Sequence, residues 1–356
     1  MSATAALQTA IARLCDRADL TAEQAAAAVE VLMRGDATQA QVGAFLGALR
    51  AKGETVDEVV GAARAMRAHA ERVASRRAPL VDTCGTGGDG GLTFSISTAA
   101  ALVAAGAGAS VAKHGNRAAS GRFGGADVLE ALGVAIDLPA AEVGRCLDEV
   151  GMAFLFARRL HPAMRHVAAA RSEIGVRTVF NLLGPLSNPA GATRQVIGVA
   201  APGALALVAG ALARLGCEHA LVVHARDGTD EISLSAPTDA IELRAGKASE
   251  RTLAAADFGL PACPRDAVHA ADLADAVRIV REVLAGAAGG PSDVVVANAA
   301  AALYVAGEAS DLREGAERAR AAIASGAASR VLSELVRFTR AAAERGSGRA
   351  EGRATV

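Results

Sequence analysis

Residues 82–91 read DTCGTGGDGG and residues 113–125 read KHGNRAASGRFGG, so two glycine-rich loops lie on either side of one short helix–strand unit. The first loop follows the apolar run 78–81 and precedes a helical pattern that starts at Ser97 and Thr98. Glycines expose backbone N–H groups without a Cβ to hold an anion away, and a helix N-terminus favours negative charge. The second loop adds polar and cationic donors from Lys113, His114, Asn116, Arg117, Ser120 and Arg122. The two loops therefore predict a site for an anionic ligand.

Outside these loops, short β-rich runs alternate with helical stretches after Pro79. The predicted strands are 80–82, 110–112, 153–156, 195–200 and 219–224. Such alternation is typical of an α/β fold with a mainly parallel central sheet flanked by helices on both faces. From Ala271 onward the pattern is mostly helical again.

The first 75 residues are helical in pattern, and three capping boxes mark the predicted helix starts. Each box pairs the hydroxyl of a threonine with a side chain three residues further on. The boxes are Thr21-Ala-Glu-Gln24, Thr38-Gln-Ala-Gln41 and Thr55-Val-Asp-Glu58. Gly35 and Gly53 lie where the preceding helices should end.

These patterns predict a small N-terminal helical domain over residues 1–74, joined by part of 160–190, and a larger α/β domain over residues 79–345. The boundary falls at Arg76-Arg77-Ala-Pro79, because a proline ends the helical run. Residues 346–356, GSGRAEGRATV, are predicted to form a disordered tail.

Composition narrows the class of protein. A formal net charge of −1 provides no field that attracts nucleic acid or acidic membranes, and one Tyr with no Trp leaves little for stacking bases. The five cysteines form no C-x-x-C pair, which favours a reducing compartment. Because the N-terminus lacks a secretory signal, we expect a cytoplasmic protein. The uncharged segment 196–213 contains Pro202-Gly203 and is predicted to be a strand, a turn and a helix rather than a membrane span.

The run Gly85-Thr-Gly87-Gly-Asp-Gly90 matches the dinucleotide pattern G-x-G-x-x-G, but that match alone is weak. A nicotinamide-binding fold would place an acid after the next strand, where this chain has Lys113. The chain also has no G-x-x-x-x-G-K-[ST], so a nucleoside triphosphatase is not indicated. Asp89 would repel a bare pyrophosphate but could accept hydrogen bonds from sugar hydroxyls or metal-bound water. A phosphorylated sugar with a magnesium-bound pyrophosphate suits these residues better.

Six motifs together resemble the anthranilate phosphoribosyltransferase family. They are GTGGD at 85–89, KHGNR at 113–117, ADVLEALG at 126–133, GVRTVFNLLGPLSNPA at 175–190, DGTDEISL at 227–234 and NAAAALYVAG at 298–307. The similarity runs in order over about residues 5–342, and such a series is far more specific than one glycine loop. The resemblance implies transfer of ribose 5-phosphate from phosphoribosyl pyrophosphate (PRPP) to the amine of anthranilate, with release of pyrophosphate, in the second step of tryptophan biosynthesis. It also implies a homodimer, Mg²⁺ as cofactor and a phosphoribosyl-binding α/β domain.

The resemblance also implies site residues at matching positions. The implied PRPP contacts are Gly85, Gly88, Asp89, Thr93, Ser95, Ser97, Thr98, Lys113, His114, Gly115, Asn116, Arg117, Ala118, Ala119, Ser120, Gly121 and Gly125. Anthranilate would contact Gly85, Asn116 and Arg171, and Mg²⁺ would be held by Ser97, Asp230 and Glu231. No residue is expected to act as a catalytic acid or base, since the aromatic amine is already a nucleophile. We assign no chemistry to His161 or His224.

The residue types fit those roles. The guanidinium of Arg171 can pair with both oxygens of a carboxylate, although an isolated arginine on a helix is more often a surface residue. Asp230-Glu231 could be part of a solvated acidic turn with Asp227, yet hard carboxylate oxygens are the ligands that Mg²⁺ prefers. The chain departs from the family at three positions. It has Ser95 where the family usually has Asn, and it has Phe123 and Gly125 where the family usually has Ser.

Two other functions stay open at this point. The first is a related phosphoribosyltransferase or nucleoside phosphorylase with another acceptor. The pyrimidine nucleoside phosphorylases carry a Lys-His-Ser-Thr-Gly-Gly-Val-Gly-Asp loop where this chain has residues 82–89, which counts against them. The second is a non-catalytic relative that binds nucleic acid, which the near-neutral charge and the Asp230-Glu231 pair disfavour.

Overall fold

The computed structural model describes residues 3–88, 93–118 and 123–351. Its first four helices are α1 (Ala3–Cys15), α2 (Ala22–Arg34), α3 (Gln39–Lys52) and α4 (Val56–Ala68). All three predicted capping boxes are present, with the threonine hydroxyls accepting from backbone N–H groups at 3.2, 3.2 and 3.4 Å. Helices α2 and α3 end at Gly35 and Gly53, whose φ angles of 78° and 94° favour glycine.

One sheet of seven strands forms the centre of the α/β region, in the order β3-β2-β1-β4-β5-β6-β7. The strands are β1 (Leu80–Asp82), β2 (Ser110–Gly115), β3 (Met152–Phe156), β4 (Arg194–Gly198), β5 (His219–Ala225), β6 (Thr238–Arg244) and β7 (Lys247–Leu253). The first five strands pair in parallel, and β6 and β7 are added antiparallel. The predicted mainly parallel sheet is therefore confirmed.

The hairpin formed by β6 and β7 has no counterpart among the predicted strands. Most of β7 is exposed and polar at an edge of the sheet, so it lacks the apolar run that marked the other strands. The turn between the strands places Ala245 and Gly246 at φ angles of 49° and 77°, as in a type I′ hairpin. An alanine in the first of these positions gives a weaker signal than the usual Asn-Gly or Asp-Gly.

Eleven further α-helices lie in the described part of the chain. They are α5 (Ile96–Gly106), α6 (Gly125–Ala131), α7 (Ala140–Val150), α8 (Ala157–Leu160), α9 (Arg165–Ile174), α10 (Phe180–Leu186), α11 (Ala204–Arg214), α12 (Leu273–Leu284), α13 (Gly290–Ala306), α14 (Leu312–Ala324) and α15 (Ala327–Glu351). The segment 196–213 spans the end of β4 and most of α11, as predicted. No helix among the described residues is both long and apolar enough to cross a membrane.

Two hydrophobic cores lie on opposite faces of the sheet. Val196 and Leu221 point into a core with α5, α7 and α13, while Ile197 and Val222 point into a core with α2, α4, α10 and α11. This alternation follows from the two-residue period of a strand. Helices α9 and α10 lie within 160–190 and pack against the N-terminal helices. The domain boundaries stay a prediction.

The chain end differs from the predicted disordered tail. Helix α15 continues to Glu351, so residues 346–351 are helical, and residues 352–356 lie outside the described residues. The flanking Arg, Ala and Glu residues are good helix formers, which offsets the two glycines in this segment.

Candidate active site

Three loops that carry most of the predicted site residues follow the carboxyl ends of parallel strands. The first glycine loop follows β1, the second follows β2, and the loop that carries Asp230 and Glu231 follows β5. In open α/β sheets this edge is where ligands bind. The implied PRPP contacts Asp89, Ala119, Ser120 and Gly121 lie outside the described residues.

The acidic pair lies directly against the first glycine loop and the start of α5. Asp230 Oδ2 accepts a hydrogen bond from the backbone N–H of Gly87 at 2.9 Å, and Glu231 Oε1 accepts one from the backbone N–H of Ser97 at 3.0 Å. Of the three residues predicted to hold a metal, Glu231 thus contacts Ser97, and Asp230 is its neighbour in the chain. Their donor atoms are carboxylate and hydroxyl oxygens, the set that Mg²⁺ prefers.

Two glycines allow Asp230 to approach this closely. A Cβ at Gly85 would lie 2.9 Å from Asp230 Oδ2, and a Cβ at Gly198 would overlap the backbone carbonyl of Asp230. The chain therefore needs glycine at the end of β4 to pack the acidic loop against the sheet.

Gly198→Ala is expected to lower the free energy of unfolding by roughly 3 kcal/mol, because the new methyl group must displace the backbone at Asp230. Gly203→Ala is the matched control, since a Cβ there meets nothing within 4 Å. Its effect should stay below about 1 kcal/mol. Urea denaturation measures both. Equal, small changes in the two variants would contradict the close approach.

Lys113 lies beneath the first loop and is buried. Its Nζ donates to Thr83 O at 2.9 Å, to Thr83 Oγ1 at 3.2 Å and to Ser97 Oγ at 3.2 Å. A lysine ammonium has three N–H donors, so these contacts use all of them. In this arrangement Lys113 orients Ser97 and places positive charge in the floor of the site.

Asp82, at the end of β1, links the start of the first glycine loop to the start of the second through hydrogen bonds. Its carboxylate accepts from the backbone N–H of His114 at 3.0 Å and from Asn188 Nδ2 at 2.7 Å. Burial raises the pKa of Asp82 to about 6.

Asp82, Cys84 and His114 offer ligand atoms within 4.8 Å of one another. Because both carboxylate oxygens already accept hydrogen bonds, and burial raises the pKa of the Cys84 thiol, we interpret this cluster as structural.

His114 and His161 form a buried pair, with ring centroids 5.0 Å apart. His114 Nδ1 lies 2.9 Å from Gly184 O, so this nitrogen carries the hydrogen and Nε2 carries the lone pair. Within the described residues, His114 Nε2 and both ring nitrogens of His161 have no well-aligned hydrogen-bond partner. Burial lowers the pKa of His114 to about 4 and that of His161 to about 3, so both rings are neutral at pH 7. No motif in the sequence indicated that His161 lies here.

Arg171 lies on α9, where its guanidinium carbon is 5.3 Å from the centroid of the Phe180 ring. Burial lowers the pKa of this guanidinium, and no described carboxylate lies within ion-pair distance of it. Arg171 is therefore a partly buried cation that is held against an aromatic ring and can accept an anionic partner. Asn116 is exposed at the start of the second loop, with its Oδ1 accepting from the backbone N–H of Arg117.

Two arginines have partners that the sequence did not predict. Arg117, an implied PRPP contact, turns to α6, where its guanidinium pairs with Asp127 at 2.7 Å and Glu130 at 2.9 Å. Arg177 donates to Thr86 O at 3.1 Å, and a Cβ at Gly88 would overlap its guanidinium. Arg177 thus joins the segment after α9 to the first glycine loop, a role that its position in the sequence did not reveal.

The three residues that depart from the family pattern are all among the described residues. Ser95 is left-handed, with φ 67°, a conformation in which Asn is enriched. Its hydroxyl donates to Thr98 Oγ1 at 2.9 Å, and a Cβ at Gly125 would lie 2.8 Å from that same oxygen. Phe123 is buried in the core that contains α5. Ser95 and Gly125 thus meet at Thr98, while Phe123 contributes to packing.

A helical bundle followed by an α/β domain with this edge site defines a class of glycosyl transferases. Residues 8–70 match the family model described as the helical bundle domain of the glycosyl transferase family, and residues 77–329 match its a/b domain.

Similar proteins of known family show to which family of these transferases the chain belongs. The chain is 54% identical over 333 residues to an anthranilate phosphoribosyltransferase of Anaeromyxobacter sp. (strain K), covering 94% of this chain and 98% of that protein. It is 54% identical over 321 residues to that of Symbiobacterium thermophilum, covering 90% and 94%. The chain belongs to the anthranilate phosphoribosyltransferase family, which confirms the resemblance found in the sequence.

Solved structures agree with the fold. The anthranilate phosphoribosyltransferase of Thermus thermophilus is 44% identical, with a TM-score of 0.88 and coverage of 93% of this chain and 99% of that one. The enzyme of Saccharomyces cerevisiae, in complex with PRPP and Mg, is 26% identical, with a TM-score of 0.86 and coverage of 95% and 98%. A helical N-terminal domain followed by an α/β domain is therefore shared with these enzymes.

Proposed function

We propose that the chain transfers the 5-phosphoribosyl group of PRPP to the amine of anthranilate, giving N-(5-phosphoribosyl)anthranilate and pyrophosphate. This is the second step of tryptophan biosynthesis. One observation supports it most: Asp230 and Glu231 lie on the backbone N–H groups of Gly87 and Ser97, at the carboxyl edge of the sheet. N–H groups that can bind a phosphate and carboxylates that can bind a cation are thus in contact. A pyrophosphate with a bound metal ion needs both kinds of group.

The geometry fits catalysis by positioning and electrostatics. Breaking the bond from C1 of ribose to pyrophosphate leaves positive charge on the sugar and negative charge on the leaving group. Preorganised N–H donors stabilise that negative charge, and each is worth roughly 3 kcal/mol. Both buried histidines are neutral, and the amine of anthranilate attacks C1 without prior deprotonation; the new C–N bond forms as the bond to pyrophosphate breaks, and the extra proton on nitrogen then passes to water or to the released pyrophosphate. No side chain is assigned as a catalytic acid or base.

We assign the donor substrate to the two glycine loops and the start of α5. Backbone N–H groups at Gly85, Gly88 and Gly125, with the hydroxyls of Thr93, Ser95 and Thr98, would bind the sugar and its phosphates. Lys113 acts through Ser97, and Arg117 would contribute its backbone, since its side chain pairs with α6. The remaining assignments are His114, Gly115, Asn116, Ala118 and the four that lie outside the described residues: Asp89, Ala119, Ser120 and Gly121.

Ser97, Asp230 and Glu231 are proposed to hold Mg²⁺, because all three offer oxygen ligands and Glu231 lies against Ser97. Bound in this place, the cation would neutralise charge on the departing pyrophosphate. The chain's own contribution is to hold the two carboxylates at fixed backbone positions. If the two carboxylates turned from Gly87 N–H and Ser97 N–H to a cation, both N–H groups would be free to bind phosphate oxygens.

Arg171, Asn116 and Gly85 are proposed to bind anthranilate. The guanidinium of Arg171 would pair with the acceptor's carboxylate, and its stacking on Phe180 limits its rotation before binding. We further propose a cytoplasmic homodimer with small-molecule substrates and no nucleic-acid partner. The predicted domains over residues 1–74 with part of 160–190, and over 79–345, would form the two halves of the enzyme.

Loss of anthranilate fluorescence in the presence of PRPP and Mg²⁺ tests the function. We expect turnover of anthranilate to exceed that of every other amine in a panel of aromatic amines. Turnover of a different amine without turnover of anthranilate would instead support a related transferase. A complex with DNA or RNA at physiological salt, without turnover of any amine, would support the nucleic-acid-binding alternative.

A further inference from the structure

The loop after β5, residues 226–237, is held by hydrogen bonds from residues on both sides of Asp230 and Glu231. We propose that Asp227 and Asn298 are positioning residues that hold the backbone on both sides of Asp230 and Glu231, and so set the affinity of the site for its divalent cation. This inference rests on the proposed metal role of the acidic pair.

Asp227 closes the loop on itself. Its Oδ1 accepts from Thr229 N at 3.1 Å and Thr229 Oγ1 at 2.8 Å, and its Oδ2 accepts from Ser233 Oγ at 2.6 Å and Ser235 Oγ at 2.5 Å. The donors lie on both sides of the acidic pair in sequence. One carboxylate therefore ties the two ends of the segment together.

Asn298 holds the same segment from the core. It is 3% exposed on α13, a helix buried between the sheet and its neighbours. Its Oδ1 accepts from Ile232 N at 3.0 Å, and its Nδ2 donates to Ile232 O at 2.9 Å and to Val294 O at 3.0 Å. Both amide hydrogens and the oxygen are used, so the side chain has one satisfied orientation. The residue directly after Glu231, Ile232, is thereby fixed to a largely buried helix.

These contacts have a consequence for cation binding. The backbone is fixed at 229, 232 and 233, so Asp230 and Glu231 can change partners by side-chain rotation alone. Without Asp227, several loop residues would have to be ordered when the cation binds, which costs conformational entropy and weakens binding. Partners that orient metal ligands typically change affinity by about 10- to 100-fold when removed.

Asp227→Asn tests the proposal, because the amide keeps the size but has only one acceptor oxygen, so either the Thr229 donors or the Ser233 and Ser235 hydroxyls face its NH2 group. We expect Mn²⁺, used as an electron-paramagnetic probe with the full chain and PRPP, to bind about 10-fold more weakly. Ser235→Ala removes one donor from an exposed position and should shift Mn²⁺ affinity less, in the same direction. It also serves if Asp227→Asn fails to fold. Asn298→Asp, which loses both N–H donors, should weaken Mn²⁺ binding as well.

The matched control is Asp148→Asn, which changes an equally well-bonded carboxylate on α7 that accepts from Ser75 Oγ at 2.7 Å and from Arg76 N at 2.8 Å. It should leave Mn²⁺ affinity unchanged even if it lowers thermal stability as much as Asp227→Asn does. Unchanged Mn²⁺ affinity in folded Asp227→Asn and Ser235→Ala would overturn the positioning role. If Asp230→Asn with Glu231→Gln also leaves Mn²⁺ affinity unchanged, the proposed metal role itself has failed, and the positioning role falls with it.

Discussion

Replacing Asp230 with Asn and Glu231 with Gln in one variant is expected to lower Mg²⁺-dependent turnover by about 10³-fold or more. The substitutions remove two negative charges but keep amide oxygens that can still accept from Gly87 N–H and Ser97 N–H. The loop should therefore retain its geometry while its cation affinity is lost. Initial rates over a range of Mg²⁺ concentrations, with thermal unfolding as a check on folding, measure the effect.

The matched control for this variant is Asp148→Asn with Glu149→Gln. It removes the same two charges from a consecutive Asp-Glu pair on α7, which leads to the amino end of β3, away from the glycine loops. Its turnover should stay within about 2-fold of the parent, since surface charges far from a site have small effects. A double variant at Asp230 and Glu231 with full activity would disprove the metal assignment.

Arg171→Ala is expected to weaken anthranilate binding by roughly 100- to 1,000-fold, while PRPP binding changes by less than about 3-fold. The structure shows a partly buried guanidinium that stacks on Phe180 and has no described carboxylate partner, so an anionic acceptor would supply its main electrostatic contact. Arg171→Lys keeps the charge but loses the planar pair of donors, and should cost about 10-fold. KM values for each substrate, measured at saturating levels of the other, separate the two effects.

Arg165→Ala provides the control, because Arg165 is exposed at the start of the same helix. Neither KM should change there. Equal losses for PRPP and anthranilate in Arg171→Ala would remove Arg171 from the acceptor site and assign it a structural role in α9.

Local signals in the sequence were enough for much of the fold. A capping box depends on four consecutive residues, so Thr21, Thr38 and Thr55 mark helix starts without any tertiary information. The glycine loops likewise indicate an anion site, because the absence of a Cβ is a property of the residue itself. Strand β7 was not predicted because an exposed edge strand needs no apolar pattern.

Contacts between distant segments could not be predicted from the residues alone. His161 lies beside His114, and Arg177 reaches Thr86, only because the segment from α8 to α10 folds back against β2 and the first glycine loop. Arg117 was expected from the sequence to lie in the site, but its side chain forms ion pairs elsewhere. A cation in a phosphate-binding motif was expected to face the ligand, yet Glu130 in the next helix is well placed to bind it.

Asn298 shows how a motif can be recognised before its role is understood. The run NAAAALYVAG at 298–307 helped to identify the family, but nothing in those ten residues predicts an amide that holds Ile232. Its partner lies in the acidic loop, and the two meet only once α13 is packed beside the sheet. A buried asparagine within an apolar helix was the one available signal, since such a side chain must find hydrogen-bond partners.

The most direct measurement of the central claim is the stoichiometry of the reaction with purified full-length chain. Anthranilate fluorescence and released pyrophosphate should be followed together in the presence of PRPP and Mg²⁺. We predict that one pyrophosphate appears for each anthranilate consumed, and that omitting PRPP, Mg²⁺ or anthranilate stops the reaction. Pyrophosphate release that is independent of anthranilate, or no loss of anthranilate with all components present, would contradict the account.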